Sequence, residues 1–282
     1  PQIDAMNIIN LDTSFPLLKK SSENIETLIP RISFRINPGN NMNDISNSSS
    51  TIDADNVFDI DRLAAADSYE AGKSLTLGIN YIFNPIEDYI EEDIKDKYLE
   101  FKLATVLRDQ IETDIPISST INKKNSDIFG SFDYNLFENI NFSYDFSLDN
   151  DLTTINSNKI NTEVKINNFI TSFDFIEQRN EIGTTHAITA DFEYKINDNI
   201  NLKFDTRRNK EINLTEYYNL SYEYQNDCLT AALKFNKTFY TNNDLAPTED
   251  LFFTLTLIPL TTYEREIYKR KDGVGGLKGW FR

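Results

Sequence analysis

The sequence of 282 residues has very little of the two side chains that most often bind metals and form covalent links. It contains one cysteine, Cys228, and one histidine, His186. A single cysteine excludes a disulfide within these residues, and the pair falls short of the cysteine and histidine ligands of a zinc site. Any catalysis that depends on histidine would have to use His186, which begins a predicted strand beside Gly183-Thr184-Thr185 in no recognisable catalytic context.

Long apolar segments are also missing. No run of about eighteen apolar residues occurs, which excludes a transmembrane helix. A formal net charge of −17 with 39% hydrophobic residues resembles a soluble acidic domain, but 12% aromatic residues is far too many for a disordered acidic chain. A transmembrane β-barrel fits both facts, because its strands need only about ten alternating residues each. Without an initiator methionine or a signal peptide, the chain is expected to be a fragment.

What the sequence does contain is a period of two. In residues 140–148 the apolar side chains Ile140, Phe142, Tyr144, Phe146 and Leu148 share one face, and polar side chains share the other. Residues 186–196 and 75–83 alternate in the same way, and so do residues 217–224. These segments are predicted to be strands with one wet face.

The connections between the predicted strands alternate in length. Short turns are expected near residues 135–139, 165–168, 195–199 and 224–227, and longer loops near 149–158, 177–185, 207–213 and 240–250. Tight turns on one side and longer loops on the other are typical of outer-membrane barrels, whereas a soluble sandwich, the alternative, rarely sorts its loops so regularly. The same parity places the longest loop, residues 37–72, on the external side.

The predicted fold class is therefore all-β, a transmembrane antiparallel up-and-down β-barrel. Its aromatic and aliphatic face would meet lipid and its charged face would line a polar lumen. About thirteen strands are expected, an odd number, although single-chain bacterial barrels have even counts. The chain is therefore predicted to be about half of a large barrel.

Two segments resemble a known family. Residues 56–81 are similar to the loop-then-strand signature of the LptD family of lipopolysaccharide-assembly outer-membrane proteins, and residues 218–260 resemble the last strands of that family. The residues that carry the loop signature are Asn56, Phe58, Asp61, Arg62, Asp67, Glu70 and Gly72. The resemblance implies a barrel of roughly twenty-six strands, of which residues 1–260 would be the C-terminal portion and residues 261–282 a periplasmic tail.

The resemblance also implies a role for Cys228. In the family, cysteines at this turn form disulfides with a periplasmic domain, and the parity of the strands places Cys228 at the periplasmic side, an oxidising compartment. A free thiol is the alternative, because the partner cysteine lies outside these residues.

By the same resemblance, the chain would insert lipopolysaccharide into the outer leaflet of the bacterial outer membrane. The sugar would cross the polar lumen, and the lipid would leave through a lateral seam at the last strand, whose candidate residues are Leu251, Phe253, Leu255, Leu257 and Pro259. Pro259 lacks a backbone donor, which either weakens the seam or simply ends the strand. The implied partners are lipopolysaccharide, outer-membrane lipid, an LptE-like plug lipoprotein and the periplasmic jellyroll bridge proteins of the transport system.

The external loop carries four acidic residues that offer oxygen ligands for calcium or magnesium: Asp53, Asp55, Asp59 and Asp61, next to Arg62. Their spacing lacks the glycine and the terminal glutamate of an EF-hand, so solvated charge is the simpler interpretation. Gly72-Lys73-Ser74 lacks the first glycine of a phosphate loop. We therefore expect no cofactor, no metal, no nucleic acid and no enzymatic activity.

Three other functions remain open from the sequence. A passive porin would be a self-sufficient barrel with a water-filled lumen. An outer-membrane hydrolase would bring His186 beside a serine or an aspartate. A soluble adhesive or structural sheet would bury its apolar faces between two layers.

Overall fold

A computed structural model describes residues 7–38, 50–64, 70–86, 98–137, 139–239, 247–257 and 261–271. Within these ranges the chain forms fifteen β-strands, and a single 3-10 turn at Ile117–Ser119 is the only helical element. The strands are β1 Ile9–Ser14, β2 Leu17–Lys20, β3 Asn24–Asn37, β4 Gly72–Pro85, β5 Tyr98–Arg108, β6 Ile128–Phe137, β7 Ile140–Leu148, β8 Ile155–Ile166, β9 Phe169–Gln178, β10 His186–Asn197, β11 Ile200–Asn209, β12 Leu214–Gln225, β13 Leu229–Thr238, β14 Thr248–Leu257 and β15 Thr261–Lys271.

The hydrogen-bonded order of the strands follows the chain from β3 to β15, and both β1 and β2 pair with β3. The recorded strand registers are all antiparallel. The predicted fold class is confirmed as an all-β, antiparallel up-and-down sheet, the arrangement expected for part of a large barrel. In the described part of the chain, no helix has the length and apolar character needed to cross a membrane.

The predicted connections are confirmed in position and in relative length. Tight turns join β6 to β7, β8 to β9, β10 to β11 and β12 to β13, whereas longer segments join the strands between them. Asn167, in the turn between β8 and β9, has φ of 52°, a left-handed conformation that asparagine tolerates better than most residues. The longest predicted loop also has the expected ends, because β3 ends at Asn37 and β4 begins at Gly72.

The C-terminal part of the series differs from the prediction. Residues 251–260 were expected to be the last strand, and residues 261–282 a tail; instead, Thr261–Lys271 forms β15, which pairs along the whole of β14. Charged side chains on both faces of β15 hide its period of two. Pro259 lies outside the described residues.

The chain divides into two compact units, and each sorts its side chains between an apolar face and a polar face. The first unit comprises residues 1–161 and 176–185. In it, Leu28, Tyr81, Phe101, Phe132 and Tyr144 lie directly opposite one another on five strands and form one apolar row. The opposite face of the same strands carries buried polar side chains, among them Ser33, Ser74 and Thr76. The predicted strand alternation is thus confirmed here.

The second unit comprises residues 162–175 and 186–282. Its apolar face holds successive rows such as Phe192, Phe204, Leu220, Phe235 and Leu251. Along β14 the four predicted residues Leu251, Phe253, Leu255 and Leu257 all lie on this face, since each is opposite an apolar residue of β13. The six steps along the strand from Leu251 to Leu257, at about 3.4 Å each, span about 20 Å, which is comparable with the apolar band of transmembrane barrels, about 25 Å tall.

Gly130 supports the apolar face of the first unit by leaving room for an aromatic ring. It lies opposite Phe146, and a β-carbon built on Gly130 would lie 2.2 Å from the ring atom Cζ of Phe146. The ring therefore covers the glycine, as aromatic side chains do when they shield a glycine in a neighbouring strand.

We predict that Gly130→Ala destabilises the sheet by about 1–3 kcal/mol, because the methyl group forces the Phe146 ring out of its rotamer. The free energy of unfolding of the full-length protein in detergent, measured by urea titration, tests this. Phe146→Ala in the same background should restore part of the loss, giving a non-additive double-mutant cycle. Additive effects of the two substitutions would contradict the contact.

Candidate functional site

Two connections of the first unit fold onto its polar face. We call them together the plug: residues 50–64, between β3 and β4, and residues 109–127, between β5 and β6. The two segments are tied to each other by Ser118, whose hydroxyl donates to the carbonyl of Ser50 at 3.0 Å and accepts from the Ser50 backbone N–H at 3.2 Å. Residues distant in sequence are thus held together above the strands.

The plug encloses a small hydrophobic core. Val57, Ile115 and Ile121 are fully buried, and they belong to one cluster with Val106 and Phe129 of the sheet. The cluster also includes Ile52, Ala54, Phe58, Leu63 and Ala104. Burial of an aliphatic side chain stabilises a fold by about 1.5–3 kcal/mol, so these contacts give the plug substantial stability on a face whose other residues are mostly polar.

Phe58 fixes the plug to the middle of the sheet. Its ring lies over Gly78 of β4, where a β-carbon would come within 2.7 Å of the ring. The guanidinium of Arg31, on β3 opposite Gly78, lies 4.3 Å from the ring centroid, a cation–π contact. Only a glycine at position 78 admits the ring this close to the strand.

The centre of the site is a buried carboxylate surrounded by three arginines. Glu70 lies between the described part of the plug and β4, and its side chain is 3% exposed. Arg35 donates to it at 2.7 Å, and Arg62 donates through Nε at 2.6 Å and through Nη2 at 2.5 Å. Arg108 also donates to Glu70 Oε1.

The strand register explains why these side chains meet. Arg35 of β3 lies opposite Ser74 of β4, and Ser74 lies opposite Arg108 of β5. The three residues form one row on the polar face. Glu70 and Arg62 of the long connection are placed directly over that row, where Arg62 also donates to the Ser74 hydroxyl at 3.1 Å.

The arginines outnumber the carboxylate, and their other hydrogen bonds go to backbone carbonyls and to the hydroxyls of Ser74 and Thr76, whereas Nε of Arg35 has no partner among the described residues. Arg62 donates to the carbonyl of Val57 at 2.9 Å, and Arg35 donates to the carbonyl of Asp59. Arg108 donates to the carbonyl of Ile121 at 2.5 Å and to that of Ala71 at 3.1 Å. Arg62 and Arg35 therefore tie the first plug segment to Glu70, Arg108 ties the second, and the cluster joins both parts of the plug to three strands.

The charge of Glu70 is held strongly. Burial alone would raise the pKa of its carboxyl group, but the positive charges of Arg62, Arg108 and Arg35, with the hydrogen bond from Arg62, outweigh burial and lower the pKa to about 2. The group is thus ionised at every pH that a cell meets. It acts as a fixed structural anion rather than as an acid or a base.

A cavity of about 560 Å³ lies beside Phe58, between the plug and the polar face. Its charged lining consists of Asp12, Arg31, Asp55, Glu100 and Lys102. Both cations already have partners, since Arg31 donates to Asp12 and Lys102 donates to Asp55 at 2.7 Å. The cavity is therefore polar and close to charge-balanced.

The four acidic residues predicted in the external loop are dispersed. Asp53 caps a turn by accepting from the Asn56 backbone N–H at 2.9 Å, and Asp55 pairs with Lys102. The backbone carbonyl of Asp59 accepts from Arg35, and that of Asp61 accepts from the backbone N–H of Ala64. Among the residues that the structure describes, no group of three or more acidic, histidine or cysteine side chains is arranged to hold a metal ion. Arg62, grouped with them from the sequence, instead belongs to the Glu70 cluster.

The remaining predicted residues lie elsewhere. Cys228 is a free, exposed thiol in the turn between β12 and β13, where its backbone N–H donates to the Asn226 side chain at 3.0 Å. His186 packs edge-on against Phe175, with ring centroids 5.6 Å apart. The seam candidates on β14 are paired on both sides, by β13 and by β15.

From the sequence, Glu70 was identified only through the family resemblance and Arg62 also as a neighbour of the acidic loop residues, whereas Arg108 was not identified. Arg35 and Arg108 stand near the ends of strands that flank the two plug segments, which is a weak signal in the sequence. Their convergence depends on the register between strands, which the sequence does not display.

We predict that Glu70→Gln destabilises the full-length protein by about 3–5 kcal/mol, because three buried arginines then lack their shared anion. Urea unfolding in detergent measures the change. Glu26→Gln is the matched control, since Glu26 forms a pair with Lys19 whose ammonium group is largely exposed, and it should cost less than about 1 kcal/mol. Equal effects of the two substitutions would contradict the cluster.

Acid should release the plug. A carboxyl whose pKa is depressed in the folded state stabilises it above its ordinary pKa, here 4.5, and this stabilisation is lost as the pH falls towards about 2. Cleavage by pepsin at Phe58 or Leu63 should therefore increase between these two pH values. In Glu70→Gln this increment should be absent, and wild-type cleavage that does not change with pH would contradict the prediction.

Comparison with known proteins agrees with this architecture. The family model for LPS transport system D, LptD, matches residues 4–200, more than half of the chain, and the matched span contains the whole plug and the Glu70 cluster. No curated protein matches the chain. The match and the all-β antiparallel sheet together show that the chain belongs to the LptD family, whose role is lipopolysaccharide transport and assembly at the outer membrane.

Proposed function

We propose that this chain inserts lipopolysaccharide into the outer leaflet, with the sugar carried along the polar face and the lipid released at a lateral seam on the C-terminal side of the sheet. The observation that carries the proposal is the sorting of side chains in both units. One face is apolar enough for lipid, and the other is charged and rich in hydroxyl and amide groups.

The polar face of the second unit suits a hydrated saccharide. Asn219 donates to Asp205 at 2.7 Å, and Ser172 donates to Asp191 at 3.1 Å. Thr256 donates to Thr262 at 3.2 Å. Such side chains exchange hydrogen bonds with sugar hydroxyls at little net cost, because each bond lost to water or protein is replaced by one to the sugar.

We propose the seam at β15 rather than at β14. Because β14 is hydrogen-bonded on both sides, it offers no free edge. β15 is the outermost strand of the described sheet on this side. In a closed barrel the outer edge of β15 would meet the first strand, so a seam between these two strands would open without separating β14 from either of its neighbours.

A passive porin is the alternative. A porin needs an open water-filled channel, whereas here the plug packs a hydrophobic core and a buried ion cluster onto the polar face of the first unit. This observation and the family favour the transport function.

The partners follow the same proposal. An LptE-like lipoprotein would contact the polar face, and jellyroll bridge proteins would deliver the lipid from the periplasm. Cys228 would lie on the periplasmic side. Because β15 runs antiparallel to β14 and ends at Lys271, opposite Thr248, it ends at the other side of the sheet from the Cys228 turn, so a periplasmic tail directly after β15 is not part of the proposal. The thiol of Cys228 is exposed, which supports a disulfide with a cysteine of a periplasmic domain.

The transport proposal predicts different lipid contacts for the two faces. A photocrosslinking residue at position 219, on the polar face, should form lipopolysaccharide adducts in living cells that require a supply of new lipopolysaccharide. Leu220, the next residue on the apolar face, is the matched control and should label membrane lipid regardless of supply. Absence of lipopolysaccharide adducts at position 219 would contradict the proposal.

The disulfide proposal has its own test. Outer-membrane extracts containing the full-length protein should show a shift in gel mobility on reduction, and Cys228→Ser should abolish that shift. A wild-type protein whose mobility ignores reductant would leave Cys228 as a free thiol, without affecting the transport proposal.

A further inference from the structure

The apolar face of β15 differs from that of its neighbour. On β14 the residues of this face are Leu251, Phe253, Leu255 and Leu257. The residues of β15 directly opposite the first three are Tyr268, Arg265 and Tyr263. The face that is aliphatic and aromatic on β14 thus carries, on β15, an arginine between two tyrosines.

Arg265 interrupts a row that is otherwise apolar. Tyr222, Leu233 and Phe253 lie opposite one another on β12, β13 and β14, and Arg265 continues that row. Its side chain is exposed, and no carboxylate among the described residues forms an ion pair with it. Its sequence neighbours Glu264 and Glu266 face the other side, opposite Thr254 and Phe252.

The position of Arg265 is inside the apolar band rather than at its border. The border on this side is marked by Lys237 and Glu249, which face each other and form an ion pair at 2.5 Å. Arg265 is two rows away from that pair, about 14 Å along the strand. An arginine facing lipid at such a depth is unfavourable unless an anion or water reaches it.

We propose that the outer face of β15 binds the phosphate of lipopolysaccharide, with Arg265 as the residue that holds it. The inference rests on the proposed function, because it requires lipid to leave the protein beside β15. Arginine donates two parallel hydrogen bonds to a phosphate.

The chemistry selects an anionic headgroup over the other possible occupants. A neutral lipid tail would leave the guanidinium unpaired in hydrocarbon, at a large cost in free energy. The exposed Tyr263, at 56%, presents a hydroxyl group that can also donate to phosphate or sugar oxygens. The occupant therefore carries a phosphate group. Because the proposed function brings lipopolysaccharide to this edge, we assign that phosphate to lipopolysaccharide.

The experiment places a photocrosslinking residue at position 263 of the full-length protein in cells. The control position is 255, in the same row on β14. We expect lipopolysaccharide adducts at position 263 and about tenfold fewer when Arg265→Gln is added, the order of effect of one charge-assisted hydrogen-bond pair. Arg265→Lys, which keeps the charge, should retain part of the yield.

The other outcomes overturn the proposal in distinguishable ways. If position 263 forms adducts only with ordinary phospholipid, Arg265 binds the headgroups of the surrounding membrane and not lipopolysaccharide. An unchanged yield in Arg265→Gln would make the arginine a charge that merely protects a strand edge. If position 219 labels lipopolysaccharide while position 263 does not, the binding site fails and the transport function stands; if neither does, the function itself fails.

A second variant separates binding from folding. Arg265→Leu completes the apolar row, so the full-length protein should unfold at a higher urea concentration than the wild type while its adduct yield at position 263 falls. A lower unfolding midpoint in this variant would show that Arg265 has a structural role instead.

Discussion

The contact between Glu70 and three arginines is the constraint on which the first unit depends. The carboxylate receives donors from β3, β5 and the long connection, and the same arginines bond to carbonyls of both plug segments. Because all of these groups are buried, removing Glu70 leaves three arginines without their shared anion in a region of low dielectric constant. The plug is therefore held as one piece with the sheet, although it consists of connections that have almost no regular secondary structure.

This constraint is compatible with a sheet that meets lipid on its other face. Backbone groups in hydrocarbon must be satisfied within the protein, and long paired strands achieve this. The polar face has the opposite requirement, since its charged groups need water, ligands or one another. In the first unit the plug supplies those partners, and in the second unit the polar side chains remain accessible in a shallow groove lined by Asp191, Glu193, Lys203 and Asp205. The proposed passage of the saccharide would use the polar groups of this groove.

Most of the sheet could be predicted from the sequence, and most of the site could not. Alternation in segments such as Ile140–Leu148 fixed the faces, and turn residues fixed the connections. β15 was not predicted, because Glu264, Arg265 and Glu266 interrupt the alternation of apolar and polar residues. Only its pairing with β14 defines it as a strand. The plug core was not predicted, because Val57, Ile115 and Ile121 lie in irregular segments without a repeating pattern of apolar residues. The resemblance to the family pointed to Arg62 and Glu70, but Arg35 and Arg108 join them only through the register of three strands.

The measurement that tests the fixed plug most directly is hydrogen–deuterium exchange in the full-length protein reconstituted in lipid. The backbone N–H groups of Val57, Asp59 and Ala64 are hydrogen-bonded within the plug. If Glu70 fixes this segment, peptides covering residues 50–64 should exchange as slowly as those of β4, and Glu70→Gln should make them exchange quickly while β4 remains protected. Fast exchange of residues 50–64 in the wild type would contradict the account.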